Sequence, residues 1–580
     1  MSWVKAMPWV KATTLAPQVA VRHLRTEPGR TPLLALRVLP APVRRITRGM
    51  LLRAGPLPSA YGLWDQGRQD EALAVVEAAA RRAGPRRLRR LAGFAVAVER
   101  PDTAVKLLAG LPDRDPAKPY LTGLLASKDG RLTEALDTVR RGRTRSAARL
   151  RRDLSGRVEA LTWRPATNVT PPRPVTPEPG RVLHIVTNAL PATNAGYTVR
   201  THRIAATQRA LGLDPHVVTR LGHPVVQGRP DPRPGTEVDG VPYHRLVPWR
   251  LPPHSRAALE ANVAAASRLV ERLRPAVLHA ASNHVNAQIA LALRERHGVP
   301  VVYEMRGFLE ESWLSRDPRR STDRDFYRFS RDLETACMRA ADLVVTLGEV
   351  MREEIVARGV PAGKVVVIPN GVDEAFLEPL PDAAGLRAEL GIAPDEKVAG
   401  TTTSFFSYEG LDTLLAAGAV LRDQGHPVRL LLVGDGPERA ALQARAAGLG
   451  LTDAIFTGRV PADQVRRYHA VLDAFVVPRR DERVCRMVTP LKPLEAMAGG
   501  VPVIASDLPA LREIITHEKT GLLTVPQNPD LLAKALQNIL YSPSSQHMQH
   551  AAREWVRNER TWRIGMERLL DAYRSLGVSC

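Results

Sequence analysis

Five side chains within one stretch, Ala474 to Ser506, have the types and spacing to grip a charged ligand: Arg479, Arg480, Thr489, Lys492 and Glu495. Arginine offers forked donors to phosphate oxygens, lysine supplies a point charge, threonine a hydroxyl, and a carboxylate accepts from ribose hydroxyls. A nucleoside diphosphate presents all of the complementary groups. Arg479 and Arg480 could instead form a surface patch against Asp481 and Glu482, since exposed ion pairs are common. Gly434 and Gly436 follow an apolar run and precede a helical pattern. There a missing side chain lets the backbone approach a ligand at a helix N-terminus, or simply makes a tight turn. Gly196 opens another helical pattern, with Arg200 one turn later. His279, Glu304 and Arg306 end the runs AVLHAAS and PVVYEMR. A lone histidine there is as readily a core residue as a ligand contact, and Glu304 could merely pair with Arg306.

Strand ends must hold these residues. RVLHIVT from Arg181, PHVVTR, VPYHRLV, AVLHAAS, PVVYEMR, DLVVTLG and KVVVIPNG form one series of apolar runs with helical patterns between most of them. VAGTTTS, RLLLVGDGP, AIFTG, AFVVP, PVIAS and GLLTV form a second. Strands alternating with helices imply parallel sheets, whose ligands bind beyond the carboxyl ends of the strands. The expected class is α/β, with doubly wound domains over residues 181–373 and 374–543. Residues 544–580 read as one helical pattern anchored by Trp555 and Trp562, which either crosses back to the first domain or stays on its own.

The part before residue 181 is different. Residues 165–180 carry six prolines in sixteen positions, which suits an extended linker. Over 59–164, Ala72, Ala104 and Ala135 recur at spacings of 32 and 31 in similar contexts. Such a period predicts stacked helical hairpins, similar to a degenerate tetratricopeptide-like array, with an ordinary helical bundle as the alternative. Residues 1–58, with scattered prolines and many arginines, read as weakly ordered or as an amphipathic surface segment.

Charge is concentrated in this N-terminal part. Residues 1–180 hold 33 lysines and arginines against 15 aspartates and glutamates, a net +18, leaving +4 of the chain's +22 for the other 400 residues. Residues 1–165 could therefore meet an anionic membrane or a protein partner, or present a solvated face. With 5% aromatic residues and no recognition motif, nucleic acid is not an expected partner. Three cysteines, Cys337, Cys485 and Cys580, show no paired spacing, so a reducing, cytoplasmic setting is expected, possible attachment to the inner membrane face being peripheral. No 18-residue uncharged apolar window predicts a spanning helix, and no signal peptide is read.

From about residue 180 onward the sequence resembles the GT-B glycosyltransferases of family 4. The resemblance rests on Gly196 with Tyr197 and Arg200, YEMRGFLEES from Tyr303, PNGVD from Pro369, SYEGLDTLL from Ser407, LLLVGDGPE from Leu430, and LEAMAGGVPVIAS from Leu494, in the family's order. It implies two facing Rossmann-like domains and transfer of a sugar, with retained configuration, from a UDP-, GDP- or ADP-sugar to a glycan or lipid-linked acceptor. No cofactor and no metal are implied; Asp323-x-Asp325 only imitates the metal motif of the other large glycosyltransferase fold. Glu495 matches the glutamate that binds the donor ribose. On this reading Arg306, Lys492 and Glu495 are catalytic, Gly196, Gly434 and Gly436 contact the donor, and His279, Glu304 and Arg306 contact acceptor or sugar.

Two departures from the family pattern stand out. Met487 occupies the place of the first glutamate in the Glu-x7-Glu pattern, and TTTSFFSYEG from Thr401 lacks the arginine and lysine that hold the diphosphate in many relatives. Arg479, Arg480, Thr489 and Lys492 would then be a relocated phosphate clamp. A noncatalytic scaffold acting through the basic helical module is the alternative.

Overall fold

The computed structural model describes residues 3–165, 173–229, 231, 233–541 and 545–579. Residues 166–172 of the expected linker and Cys580 lie outside them. The segment before residue 59, expected to be weakly ordered or amphipathic, is helical over Trp3–Thr26, Thr31–Val38 and Ala41–Arg53. The prolines read as breakers include Pro32 and Pro42, which stand in the first turns of their helices. A first-turn proline forfeits no helical hydrogen bond, and its fixed φ favours the helix.

Three helical hairpins follow: Pro56–Asp65 with Gln69–Ala80, Pro85–Ala97 with Pro101–Ala109, and Lys118–Lys128 with Leu132–Arg140. Arg145–Thr162 closes the stack. Ala72, Ala104 and Ala135 are fully buried on the second helix of each pair, facing Ala60, Ala92 and Gly123 twelve positions earlier on the first. The turns between them sit at Gly67, Glu99 and Gly130, with φ of 82°, 58° and 81°. Glu99 adopts the left-handed conformation without being glycine. A Cβ placed on Gly123 would lie 2.3 Å from Val139 Cγ1. The hairpin therefore closes only around a residue without a side chain.

The first α/β domain has strands β1 Arg181–Val186, β2 Asp214–Thr219, β3 Gly235–Val238, β4 Val241–His244, β5 Val277–Ala281, β6 Val301–Met305, β7 Leu343–Thr346 and β8 Val365–Val367. Their order is β3-β4-β2-β1-β5-β6-β7-β8. All pairs are parallel except β3 with β4, an edge hairpin whose short polar first strand gave no apolar run to read. The second domain has β9 Val398–Thr402, β10 Arg429–Val433, β11 Ile455–Gly458, β12 Ala474–Val477, β13 Val503–Ser506 and β14 Leu522–Thr524, in the order β11-β10-β9-β12-β13-β14. This sheet is parallel throughout.

The C-terminal pattern is two helices, Ser545–Glu559 and Trp562–Arg574. Between them the chain crosses from the second domain to the first, where the Val372 N–H donates to the Arg560 carbonyl at 2.8 Å. Trp562, Met566, Leu569 and Tyr573 then pack with Val182, Ile204, Val277 and Val302 in one apolar cluster of the first domain. Gly371 is required at the crossing, since a Cβ there would stand 2.8 Å from the backbone of Thr561 and Trp562.

The helical module is fastened to the first α/β domain as well. Asp325, half of the metal-like pair, accepts from the Thr133 N–H at 2.8 Å, and Gly130 packs on the Trp313 ring. Among the described residues no helix is long and apolar enough to cross a membrane.

Replacing Gly123 by valine should force this hairpin apart and destabilise the module by about 1–3 kcal/mol, the usual cost of overpacking. A thermal melt followed by circular dichroism, compared with Gly93→Ala, checks it; a Cβ at Gly93 would meet nothing nearer than 4.0 Å.

Candidate functional site

A cavity of about 540 Å³ lies between the two α/β domains. The carboxyl ends of β9, β10 and β12 form one wall, and the loop into the helix Gly196–Ala210 together with the end of β6 forms the other. The sequence-predicted residues Gly196, Gly434, Arg306, Arg479, Thr489, Lys492 and Glu495 all line it. Gly436, Arg480, His279 and Glu304 do not.

On the second-domain wall Lys492 Nζ donates to Thr403 Oγ1 at 2.6 Å. Burial lowers the pKa of its ammonium, against the attraction of Glu409. Glu495, one turn along the same helix, accepts no hydrogen bond from a described residue, and burial pushes its carboxyl up to about 7, with Lys492 opposing. Both side chains keep part of their surface open to the cavity. The Thr489 hydroxyl is buried and has no hydrogen-bond partner among the described residues. Lysine, carboxylate and hydroxyl thus face the cavity with bonding capacity unspent.

The two arginines expected as a relocated clamp are differently placed. Arg479 donates to the Val488 carbonyl at 2.9 Å and approaches both oxygens of Glu409 at 3.3 and 3.4 Å. Arg480 donates to Asp412 at 2.8 Å and points away from the cavity. Their partners are Glu409 and Asp412, not Asp481 and Glu482, because β9 and β12 are neighbours in the sheet although about 70 residues apart in sequence. With these charges balanced, the cation of this wall that bonds no carboxylate is Lys492. Arg459, at the rim after β11, is a second; it lines the cavity, is exposed, and had no sequence motif to mark it. Thr403 was likewise missed, since TTTSFFSYEG was read for the cations it lacks.

Gly434 and Gly436 owe their identity to packing. A Cβ on Gly434, at φ 143°, would fall 1.8 Å from the Thr403 carbonyl oxygen, and one on Gly436 2.4 Å from that of Phe405. The loop is pressed flat on the end of β9; both glycines are half-buried, and Gly434 lines the cavity while Gly436 does not. Gly196 differs: a Cβ there would meet only Leu491 at 3.8 Å. Its missing side chain leaves open cavity above the first turn of a fifteen-residue helix, a position that favours anions.

Across the cavity, Glu304 is sealed from solvent. It accepts from Arg200 Nε at 2.7 Å and Arg306 Nε at 2.8 Å, and lies 3.3 Å from His279 Nε2. His279 is also fully buried, with Nδ1 2.6 Å from the Tyr573 hydroxyl. The expectation that His279 and Glu304 touch acceptor or sugar is therefore corrected: both are core groups that hold the wall from behind. Arg200, 2% exposed, spends its donors on Glu304, the Ile368 and Pro369 carbonyls and Asn370, so it locks the interdomain crossing rather than offering charge to a ligand. Arg306 does reach the cavity, held by Glu304, the Tyr197 carbonyl and the Thr201 hydroxyl.

Met487 is buried in the apolar cluster that contains Phe308 and Met351 of the first domain. Beside it Arg483 donates to Glu311 at 2.8 Å and lies 3.0 Å from Glu354, and Glu513 accepts from the Glu349 and Val350 N–H groups at 3.0 and 2.9 Å. A carboxylate at position 487 would have to be buried among apolar side chains; methionine instead pins the loop to the facing domain.

Family models match both halves of this fold: a glycosyl transferase 4-like domain over residues 195–371 and a glycosyl transferases group 1 domain over 383–555. The chain is 31% identical over 238 residues to a GDP-mannose-dependent alpha-(1-6)-phosphatidylinositol monomannoside mannosyltransferase of Mycobacterium tuberculosis, covering 40% of this chain and 62% of that protein's length. It is 29% identical over 371 residues to a GDP-mannose-dependent alpha-mannosyltransferase of the same organism, covering 62% of this chain and 89% of that one. In structure it is similar to sucrose-phosphate synthase from Thermosynechococcus elongatus, with a TM-score of 0.58 and 23% identity over 69% of this chain and all of the other, a likeness of fold. The two matched models together span more than half of the sequence in the order of its two α/β domains, and on that ground the chain belongs to the GT-B glycosyltransferases of family 4.

Proposed function

We propose that the cavity binds a nucleotide-diphosphate sugar and transfers its sugar, with retained configuration, to a hydroxyl of a glycan or lipid-linked acceptor. The observation that carries this reading is the set of unspent groups on one wall, Lys492, Thr489 and Glu495, facing a helix N-terminus on the other. Lys492 and the first turn of the helix at Gly196 stabilise the diphosphate as negative charge builds on it during departure. Glu495 accepts from the ribose, and Arg459 at the rim offers a further guanidinium to the donor. Arg306 orients the sugar or acceptor. The bond from the anomeric carbon to the diphosphate oxygen breaks as that carbon bonds the acceptor oxygen on the same face, and the acceptor's proton passes to the departing phosphate, so no covalent nucleophile is assigned. Burial between two domains excludes water that would otherwise consume the donor. The names of the two mannosyltransferase relatives make GDP-mannose the first donor to test. The substitution of Met487 for the usual carboxylate favours one other reading, a binding scaffold without turnover.

The surface of the helical module suits a membrane. On the helix Ala41–Arg53, Val43, Ile46 and Met50 are 45%, 60% and 66% exposed, and Arg45 and Arg53 lie exposed beside them. An apolar stripe flanked by arginines fits the boundary of an anionic bilayer, each basic residue near it contributing about 1 kcal/mol.

Lys492→Ala should lower kcat/KM for donor about 100-fold or more. In a thermal-shift assay, a nucleotide at a hundred times its Kd should stabilise the wild type by about 2.7 kcal/mol and the variant far less. Stabilisation without turnover would favour the scaffold. Because the Glu495 carboxyl titrates at about 7 and accepts from ribose as the anion, nucleotide affinity should rise from pH 5.5 to pH 8. Its own contribution to stability runs the other way: a raised carboxyl pKa favours the fold at acid pH and is lost as pH rises toward 7. Isothermal titration across this range checks the slope, which Glu495→Gln should flatten. Sedimentation with phosphatidylserine vesicles should fall sharply in an Ile46→Asp, Met50→Asp variant and at high salt, with equal binding counting against the membrane surface.

A further inference from the structure

A second cavity, of about 390 Å³, lies where the helical module meets the first α/β domain, and it shares no lining residue with the interdomain cleft. Its volume falls in the range of small-molecule pockets, roughly 300–1,000 Å³. The charges lining it differ in their pairing, and Arg22 and Arg320 donate to the Pro252 and Trp313 carbonyls. Lys128 is balanced, lying 3.0 Å from Glu27 and 3.5 Å from Glu99. Arg25, Arg149 and Arg157 also line the cavity, yet their guanidinium groups donate no hydrogen bond to any described residue. Arg157 is the inner one, held 4.9 Å over the Phe326 ring. One turn earlier on the same helix, Asp153 faces the cavity and accepts no hydrogen bond from a described residue.

We propose that this cavity is a second ligand site, for a small saccharide that carries an oxyanion, either a phosphate or a carboxylate. Three guanidinium groups with free donors match the oxygens of such an anion by forked hydrogen bonds. A bare anion would have no use for Asp153 and would be repelled by it. A sugar hydroxyl donates to that carboxylate, so cations and carboxylate are satisfied by one hydroxylated anion. Burial acts on both inner groups, lowering the Arg157 pKa and raising that of Asp153, each opposed by the charge of the other. Neither gains a hydrogen bond from a described residue, and a ligand placed between them would supply one to each. The site rests on none of the residues assigned to the donor.

Isothermal titration and thermal shift with glucose 6-phosphate, glucuronate, inorganic phosphate and glucose test this on the full chain. The first two probes separate a phosphate source from a carboxylate source, and one of them should bind with a stoichiometry of one. Affinity should fall about tenfold or more in the exposed double variant Arg25→Ala, Arg149→Ala, which touches no core contact, and should be unchanged in Lys492→Ala. Asp153→Asn should weaken the sugar anion and strengthen inorganic phosphate, whose repulsion by the carboxylate it removes. Failure of both sugar anions to bind overturns the proposal, as does binding that survives the double arginine variant or disappears in Lys492→Ala. Equal affinity for inorganic phosphate or for neutral glucose overturns the ligand class.

Discussion

The carboxylate of Glu304 is the constraint on which the cleft depends. Burial would raise its pKa, but Arg306 and Arg200 reverse that and hold it ionised well below the usual carboxylate range. Such a group stabilises the fold above the ordinary carboxyl pKa and ceases to do so as pH falls through its depressed value. Removing one member of a buried charge cluster generally costs about 3–5 kcal/mol, because the partner is left uncompensated. Here the cost would not be local. Arg200 carries the connection to residues 368–370, Arg306 to the start of the helix at Gly196, and His279 to Tyr573 on the terminal helix. One buried charge therefore sets the entry loop, the domain crossing and the returning tail together.

The facing domain follows a different logic. Arg479 is paired with Glu409 and Arg480 with Asp412, so the strand-end loops are tied by ion pairs within the domain itself. That leaves, besides Arg459 at the rim, Lys492 as the charge on hand, tied through the Thr403 hydroxyl rather than by a carboxylate. A preorganised cation in a water-poor cleft stabilises developing charge far better than the same cation in solvent, since nothing must reorganise as the charge forms. The loop between β12 and the Lys492 helix is meanwhile anchored to the first domain through Met487 and Arg483. In this chain, Met487 joins the two domains.

Much of the architecture was legible from periodicity. Thirteen of the fourteen strands coincide with apolar runs, and the recurring alanines at 72, 104 and 135 marked the close helix contacts of the hairpins. The exceptions have physical causes. Strand β3 is a polar edge strand that buries little, and Thr31–Val38 and Ala41–Arg53 are helical because Pro32 and Pro42 begin these helices instead of ending them.

Sequence alone determined which residues are able to do chemistry, because side-chain type and strand-end position are local properties. It could not determine which of them remain free to do it. His279, Glu304 and Arg306 are close in sequence and equally polar, yet only Arg306 reaches the cavity; Arg479 and Lys492 are both cations, yet only Arg479 meets a carboxylate. Besides the pairing of Glu304 with Arg306 and His279, those outcomes depend on partners that lie between about 70 and 290 residues away, brought together by parallel strand order and by the crossing of the terminal helix. Hydrogen-bonding capacity is spent between neighbours in space, and spatial neighbours across a doubly wound sheet leave no spacing in the chain.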